Sequence, residues 1–265
     1  MSDDCLIVEQ DGAVLNVTMN RPDQLNALNP ALVDALRELF VSLFWRTDIR
    51  VVVLKGAGRA FSAGLDLKQD RKAPHERTVT EALVSQRRIA EIVNAMRRCP
   101  QPIVGLVDGP ASGGGFAIAL ACDIRIVTPR TKMNAAFIRL GLSACDIGVS
   151  YFLPRMVGSA VAADYMLTGR FITADEALHL RLASRLVQPD EIETAGQYFV
   201  GEMLHASPIG LRLTKDALNY AIDAVGLEAV LAIEDRNQTL CSRDANFHEG
   251  ITAFVEKRRP VYDNN

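Results

Sequence analysis

The chain has 265 residues, a formal net charge of −3 and 49% hydrophobic residues. This length suits one large domain or a domain with an appendage, and either can bury a substantial core. The slightly acidic balance argues against nucleic acid or a membrane surface as a partner. No window approaches the roughly 18 uncharged apolar residues of a membrane span.

Cysteine usage indicates a reducing compartment. The five cysteines are odd in number, widely spaced and without a CxxC pair: Cys5, Cys99, Cys122, Cys145 and Cys241. This pattern argues against both a zinc site and a disulfide framework. The N-terminus is acidic and lacks the apolar core of a signal peptide. We therefore expect a cytoplasmic protein without a bound metal.

The N-terminal third alternates short strands and helices. Two apolar runs within residues 6–19 flank Asp11 and Gly12, a sequence typical of a hairpin turn. Asn29 and Pro30 favour a helix start, and the apolar stripe that follows extends the helix to about residue 43. Residues 50–54 form a strand-like run. Residues 68–78, which include His75, are charged and aperiodic, and we predict a mobile lid there.

The remainder continues the alternation and then becomes helical. A helix is predicted near residues 81–98, followed by strands near residues 103–107 and 124–128. Further helices are predicted at residues 174–182, 191–205, 207–222, 226–240 and 244–258. The pattern indicates an α/β core over residues 1–206 and a C-terminal helical region over residues 207–265.

One glycine turn has the features of an anion site. After an apolar run, Ser112 precedes three consecutive glycines, Gly113 to Gly115, and then a stretch of small and apolar residues. Serine is a good helix N-cap, and the first N–H groups of a helix lack internal partners. Such a helix start can hold an oxygen that carries negative charge. The alternative is that the glycines only permit tight helix packing.

A second turn favours the functional interpretation. The sequence KGAGRAFSAGLDL, residues 55–67, also follows a strand-like run, and a helix is expected to begin near Asp66. Two such turns can face each other across a cleft and direct two N–H groups at one oxygen. Other motifs fail: a dinucleotide fingerprint would need glycine at Phe61, and a nucleophile elbow would need glycine at Pro110.

With both turns considered, the sequence resembles the crotonase (enoyl-CoA hydratase/isomerase) superfamily over nearly its whole length. The matching blocks occur in the family's order: RPDQLNAL, GAGRAFSAGLDL, GPASGGGFAIALACDIRI, LTGRFITADEAL, SPIGLRLTKDALN and EGITAFVEKRRPVY. The resemblance implies a repeated ββα spiral core and a C-terminal helical region that caps the pocket and forms trimers or dimers of trimers. It also implies acyl-CoA thioesters as substrates, with coenzyme A carried as part of the substrate and no separate cofactor.

The resemblance further assigns residues. Two backbone N–H groups stabilise the thioester enolate in this family, and by position they fall on Ala63 and Gly114. Substrate and CoA contacts are implied for Ala60, Phe61, Asp66, Leu67, Gly113, Phe137, Lys257 and Arg258. For the last two, solvated cations at a helix end are an equal alternative, and Asp66 is expected to have a mainly structural role.

The departures from the family pattern concern the acids. Hydratases of this family hold water with two glutamates, and the corresponding positions here are Ala117 and Phe137. Neither side chain can transfer a proton, which argues against the usual hydration mechanism. Asp146 matches an acidic position of the dienoyl-CoA isomerase branch, and a carboxylate in an apolar pocket can serve as acid or base. The alternative for Asp146 is a cap on the helix that follows.

Three functions remain open from the sequence. The preferred one is an enzyme that isomerises or atypically hydrates acyl-CoA thioesters, with Ala63 and Gly114 binding the enolate oxygen and Asp146 moving a proton. The second is a protein that binds acyl-CoA without turnover, because Phe137 would fill the water site. The third is another thioester reaction of the superfamily, such as decarboxylation, dehalogenation or hydrolysis.

Overall fold

The computed structural model describes residues 5–68, 78–223 and 226–263, in which two sheets are surrounded by helices. The strands are β1 (Leu6–Asp11), β2 (Val14–Met19), β3 (Val51–Gly56), β4 (Ile103–Val107), β5 (Pro110–Ser112), β6 (Ile124–Val127), β7 (Lys132–Asn134), β8 (Ile172–Thr173) and β9 (Arg185–Leu186). The larger sheet has the order β1-β2-β3-β4-β6-β9, and the smaller has the order β5-β7-β8. The predicted mixed α/β class is confirmed.

Ten α-helices connect and cover these strands within the described residues. They are α1 (Pro30–Ser42), α2 (Val79–Arg98), α3 (Gly114–Ala121), α4 (Val149–Val157), α5 (Ser159–Thr168), α6 (Ala174–His179), α7 (Ile192–Leu204), α8 (Pro208–Ala221), α9 (Leu227–Arg243) and α10 (Ala245–Glu256). No helix in this part of the chain is long and apolar enough to cross a lipid bilayer.

The parallel strands of the larger sheet position both glycine turns. Strands β3 and β4 are apolar and almost entirely buried, as expected for parallel strands covered on both faces. They pair in parallel, with Leu54 opposite Gly105 and Lys55 opposite Leu106. Their carboxyl ends therefore lie side by side, and the segments that follow them leave the sheet at the same edge.

Most predicted elements are present, with local sequence signals at their ends. The predicted hairpin pairs β1 with β2, and Gly12 adopts a φ of +54° in the turn. The Asn29 side chain caps α1 by accepting a bond from the Leu32 N–H at 2.9 Å. Thr78 and Glu81 form a reciprocal capping box at the start of α2. These caps fix where the two helices begin.

Two local predictions are wrong. Ser112 does not cap α3: it belongs to β5, and Gly113 occupies the N-cap position without a side-chain bond. The described residues after Asp66, up to residue 68, are not helical, and the preceding Leu65 is extended and pairs with Leu28 as a parallel bridge. In both cases, pairing with a distant segment replaces the local structure that the sequence favours.

The predicted lid falls largely outside the described residues. Residues 69–77, which include His75, belong to that part of the chain. The predicted C-terminal helices correspond to α8, α9 and α10. The division of the chain at residue 206 stays a prediction.

A buried lysine attaches α8 to the core. Lys215 is only 4% exposed, and its ammonium group lies 2.9 Å from an oxygen of Asp123. It also donates to the backbone carbonyls of Met96 at 3.1 Å and Gln101 at 2.8 Å. These contacts satisfy all three donors of the ammonium group, and they join α8 to the end of α2 and to the segment before β4.

Replacing this lysine should destabilise the fold. Lys215→Met keeps most of the apolar stem but leaves Asp123 without its closest cation and two carbonyls without donors. We expect a loss of about 3 kcal/mol in the free energy of unfolding, the scale for breaking a buried ion pair. Urea denaturation followed by circular dichroism would measure it, with Lys132→Met on the exposed end of β7 as the matched control. Equal midpoints for the two variants would contradict this role.

Candidate active site

The two glycine turns form a continuous structure after β3 and β4. Ser62 of the first turn and Ala111 of β5 form a parallel bridge. The Ser62 N–H donates to the Pro110 carbonyl at 3.1 Å, and the Ser112 N–H donates to the Ser62 carbonyl at 2.9 Å. A Cβ atom at Gly115 would lie 2.2 Å from the Ser62 carbonyl oxygen. The close approach of the two turns therefore requires glycine at the start of α3.

Gly64 lies at the centre of this contact. Its φ is +84°, a conformation that residues with a Cβ atom rarely adopt. A Cβ atom there would lie 2.5 Å from the Ser112 carbonyl oxygen and 3.0 Å from the Gly114 nitrogen. The first turn therefore reaches the first residue of α3, as the sequence predicts for two turns that face each other.

The predicted donor Ala63 is already hydrogen-bonded. Its N–H donates to the Leu25 carbonyl at 2.9 Å. This bond corrects the sequence-based assignment, because an N–H held by the backbone is not available to a substrate. The sequence identifies the turn but not which of its N–H groups is left without a backbone acceptor.

The backbone N–H of Leu65 is oriented differently from that of Ala63. Its flanking residues bond to Leu28: the Leu28 N–H donates to the Gly64 carbonyl at 2.7 Å, and the Asp66 N–H donates to the Leu28 carbonyl at 3.1 Å. In a parallel bridge of this kind, the N–H of the central residue points away from the partner strand. Within the described residues, the Leu65 N–H has no hydrogen-bond partner.

Gly114 offers a second N–H at the start of α3. The first intrahelical bond of this turn runs from the Ala117 N–H to the Gly113 carbonyl at 3.0 Å. The Gly114 N–H, one of the four that a helix start leaves unpaired, has no partner in the described part of the chain. A Cβ atom at Gly114 would lie 2.8 Å from Leu28 Cδ1 and 3.5 Å from Ile147 Cδ1. Apolar side chains from two distant segments therefore pack against Gly114.

Asp146 immediately precedes Ile147, the residue that contacts Gly114. Its side chain does not cap a helix. The N-cap of α4 is Gly148, without a side-chain bond. The Asp146 Oδ1 atom instead accepts from the Ile147 N–H at 2.8 Å and from Gln86 Nε2 at 2.5 Å. Partial burial raises the pKa of this carboxyl group, and the two hydrogen bonds oppose the rise. A raised pKa is typical of carboxyl groups that transfer protons.

The two positions at which the family resemblance predicts glutamates are apolar and buried. Ala117 lies on α3 with no exposed surface, and Phe137 is 6% exposed in the 3₁₀-helix Ala136–Leu140. The Phe137 ring lies 3.5 Å from the position of a Cβ atom on Gly113. The Phe137 ring therefore packs beside the N-cap residue of α3.

The predicted CoA contacts in the first turn differ in accessibility. Ala60 and Phe61 have no exposed surface, so neither offers an atom to a ligand in this conformation. Asp66 is 9% exposed, accepts from Arg21 Nη2 at 2.9 Å and accepts from the Lys68 N–H at 3.0 Å. These two bonds close the first turn, and a contact of Asp66 with CoA stays a prediction. Leu67 is half exposed and remains available.

The predicted C-terminal contacts lie on an exposed segment after α10. Lys257 ends α10 in a left-handed conformation with a φ of +53°. Arg258 bonds to Glu249 at 2.6 Å and to Glu256 at 2.6 Å, so its charge is already paired. Their contact with CoA stays a prediction. Within the described residues, no cluster of three or more His, Cys, Asp or Glu side chains could hold a metal ion.

Three residues near the site were missed from the sequence. The Leu65 N–H has no partner among the described residues, Ile147 lies against Gly114, and Gln86 of α2 bonds to Asp146. Each relation depends on a contact between segments far apart in the chain. The apolar spacing of α2 indicates which face of the helix is buried, but it carries no signal for a polar partner.

Comparison with known proteins gives this geometry a context. The family model described as "Enoyl-CoA hydratase/isomerase" matches residues 9–265. The chain belongs to the enoyl-CoA hydratase/isomerase family. The crotonase superfamily assignment and the ββα core with a C-terminal helical region are thereby confirmed.

Individual family members are similar over almost their whole length. The Mycobacterium bovis protein named "Probable enoyl-CoA hydratase echA12" is 38% identical, with 94% of this chain and 89% of the relative covered. The 1,2-epoxyphenylacetyl-CoA isomerase of Escherichia coli is 31% identical, with 94% of each covered. The crystal structure of an enoyl-CoA hydratase from Mycobacterium smegmatis has a TM-score of 0.90 and 30% identity, with 97% of this chain and 98% of that chain covered. The family thus includes proteins named as hydratases and as isomerases.

The contact between the two turns can be tested by adding one methyl group. Gly64→Ala should lower the free energy of unfolding by about 3 kcal/mol, because it combines a disfavoured φ with a clash against backbone atoms. Gly141→Ala is the matched control: its φ is +77°, but nothing lies within 4 Å of the added Cβ. The control should lose only about 1 kcal/mol. Denaturant titration of both would reveal the difference, and equal losses would contradict a close contact at Gly64.

Proposed function

We propose that this protein is an acyl-CoA isomerase of the enoyl-CoA hydratase type, in which the N–H groups of Leu65 and Gly114 bind the thioester oxygen and Asp146 transfers the proton. The observation that carries the proposal is the Asp146 carboxyl group. It caps no helix, its pKa is raised by burial, and it lies next to Ile147, whose side chain approaches Gly114. A general acid or base placed near an oxyanion site is the minimum requirement for enolate chemistry.

Two N–H groups support the oxyanion part of the proposal. The Leu65 and Gly114 N–H groups belong to segments that meet at Gly64, and neither has a hydrogen-bond partner among the described residues. Donors fixed by the backbone need no reorganisation as charge develops on the thioester oxygen. Each such donor typically contributes about 10²–10³-fold in rate. Gly114 is retained from the sequence-based assignment, and Leu65 replaces Ala63.

The proposed reaction needs one carboxylate and no water. Asp146 removes a proton from the Cα of a 3-enoyl thioester, and the electron pair moves into the thioester group to give an oxyanion. The oxyanion collapses, the double bond shifts, and the protonated Asp146 returns the same proton to Cγ. The product is the 2-enoyl thioester. Atoms and charges balance, and the carboxylate is regenerated.

The apolar residues at the glutamate positions support isomerisation over hydration. Hydration requires groups that hold a water molecule and exchange its protons, whereas Ala117 offers a methyl group and Phe137 a ring. The ring next to Gly113 also leaves less room for water near the oxyanion donors. The E. coli relative is named as an isomerase of a CoA thioester, which is consistent with this branch of the family.

The proposal includes the partners implied by the family. The substrate is an acyl-CoA thioester that carries its own coenzyme A, so no separate cofactor is required. We also propose a cytoplasmic homotrimer or dimer of trimers. The support for an oligomer is the apolar surface of the last two helices, where Leu227, Phe254 and Val255 are more than two-thirds exposed.

Binding without turnover is the second candidate, and Phe137 favours it. Its ring covers Gly113 at the entrance to α3. A thioester held with its Cα displaced from Asp146 would bind without losing a proton. Turnover measurements distinguish this candidate from the isomerase.

Asp146→Asn should abolish most of the turnover. The amide cannot accept the Cα proton, so we expect kcat for 3-enoyl-CoA substrates to fall by at least about 10²-fold. Ultraviolet detection of the conjugated 2-enoyl product would measure the rate, and calorimetry would confirm that the ligand still binds. Asp190→Asn, at an exposed position remote from the turns, is the matched control. Wild-type turnover in Asp146→Asn would remove Asp146 from the reaction, and binding without turnover in the wild type would favour the second candidate.

A further inference from the structure

A pocket of about 260 Å³ lies between α2 and the loop that precedes α4. Its lining includes Leu83, Gln86 and Arg87 from the helix and Cys145, Asp146 and Ile147 from the loop. The walls combine apolar groups with the polar side chains of Gln86, Arg87 and Asp146, and the pocket is open to solvent. Ile147, which lines this pocket, also lies next to Gly114 at the start of α3.

We infer that Gln86 is a positioning residue, which holds Asp146 Oδ1 so that Oδ2 is the oxygen that exchanges the proton with the substrate. The inference rests on the proposed function, because it assigns separate tasks to the two oxygens of the proposed acid–base group.

The hydrogen bonds of the carboxyl group carry this assignment. Oδ1 accepts two bonds, one from Gln86 Nε2 and one from the Ile147 N–H. Oδ2 accepts none from the described residues. Two donors on one oxygen fix the plane of the carboxyl group and stabilise the negative charge on that oxygen. The other oxygen therefore has lone pairs available for a proton from the substrate.

The backbone of the loop before α4 fixes the orientation of the Asp146 carboxyl group. Ile147 and Gly148 are consecutive residues in the left-handed region, with φ values of +47° and +86°. For a β-branched residue such as Ile147 this conformation costs about 1–2 kcal/mol. The Ile147 N–H bond to Oδ1 forms in this conformation, and the carboxyl group is thereby turned toward α2. Backbone strain of this kind is often concentrated at functional sites.

Helix α2, which carries Gln86, is held in place on both sides of this residue. The Thr78–Glu81 capping box fixes its first turn. Arg88, two residues beyond Gln86, forms an ion pair with Asp34 of α1. Gln86 therefore projects from a well-supported helix, and its hydrogen bond to Asp146 is exposed. An acyl group in the pocket would cover the pair and strengthen the bond by excluding water.

Burial and hydrogen bonding determine the pKa of Asp146, and two other titratable groups line the same pocket. Arg87 contributes the cation from α2, and Cys145 contributes a thiol from the loop. Burial raises the Asp146 pKa, and the bonds from Ile147 and Gln86 lower it. Removing the Gln86 bond should therefore raise the pKa further. Since the base must be ionised, the acidic limb of the kcat profile should move to higher pH.

Gln86→Met tests the assignment with a side chain of similar length and no donor. We expect kcat to fall about 10-fold, the effect of losing one hydrogen bond to a charged group, with KM nearly unchanged. The acidic limb of the pH profile should move upward, and a ¹³C NMR titration should show the same change for the Asp146 carboxyl carbon. Gln86→Glu preserves the shape, adds a second negative charge and should shift the limb further. Ser85→Ala, on the same helix, is the control.

The outcomes separate this inference from the proposed function. A wild-type kcat, acidic limb and Asp146 titration in Gln86→Met, together with an inactive Asp146→Asn, would overturn the role of Gln86 and leave the proposed function intact. An active Asp146→Asn would overturn both. A Gln86→Met variant with a lower kcat but an unshifted limb and titration would reduce Gln86 to a structural residue and would also overturn the assignment.

Discussion

The contact of two backbone segments at Gly64 is the constraint on which the rest of the site depends. The first turn can reach the start of α3 only because no Cβ atom separates Gly64 from Ser112 and Gly114. Parallel pairing of β3 with β4 brings the two segments to the same edge of the sheet, and the bridge between Ser62 and Ala111 aligns them. Two N–H groups from separate turns, those of Leu65 and Gly114, are thus held by the backbone of neighbouring segments.

Two opposing effects determine the charge on Asp146. Burial opposes ionisation of this carboxyl group, while the donors from Ile147 and Gln86 favour it. A carboxyl group poised between these effects can both accept and return a proton, which a fully solvated or strongly ion-paired group does less well. The paired Asp66 illustrates the contrast: Arg21 and the Lys68 N–H engage it, and it serves to close the first turn.

The sequence predicts the elements of this fold better than the details of the site. Apolar runs that end in glycine identify both turns, and the Asn29 cap and the Asp11–Gly12 hairpin follow from local chemistry. The direction of each N–H in an extended segment depends instead on its pairing. Leu28 pairs with Leu65 and so turns the Leu65 N–H outward, while the Ala63 N–H bonds to Leu25. No local pattern encodes that choice.

The side-chain contacts of the site could not be predicted from the sequence for the same reason. Asp146 was open to interpretation as a cap or a catalytic acid, and only the position of Gly148 at the start of α4 excludes the cap. Its bond to Gln86 joins segments that are 60 residues apart. A single sequence shows which residue types are present, whereas tertiary packing decides which of them meet.

The most direct test of the account is a crystal structure with a non-reactive acyl-CoA thioester bound. The account predicts the thioester oxygen at about 2.7–3.1 Å from both the Leu65 and the Gly114 nitrogens, with the substrate Cα facing Asp146 Oδ2. A thioester oxygen bound away from this pair of nitrogens, or a Cα separated from Asp146 by the Phe137 ring, would contradict it.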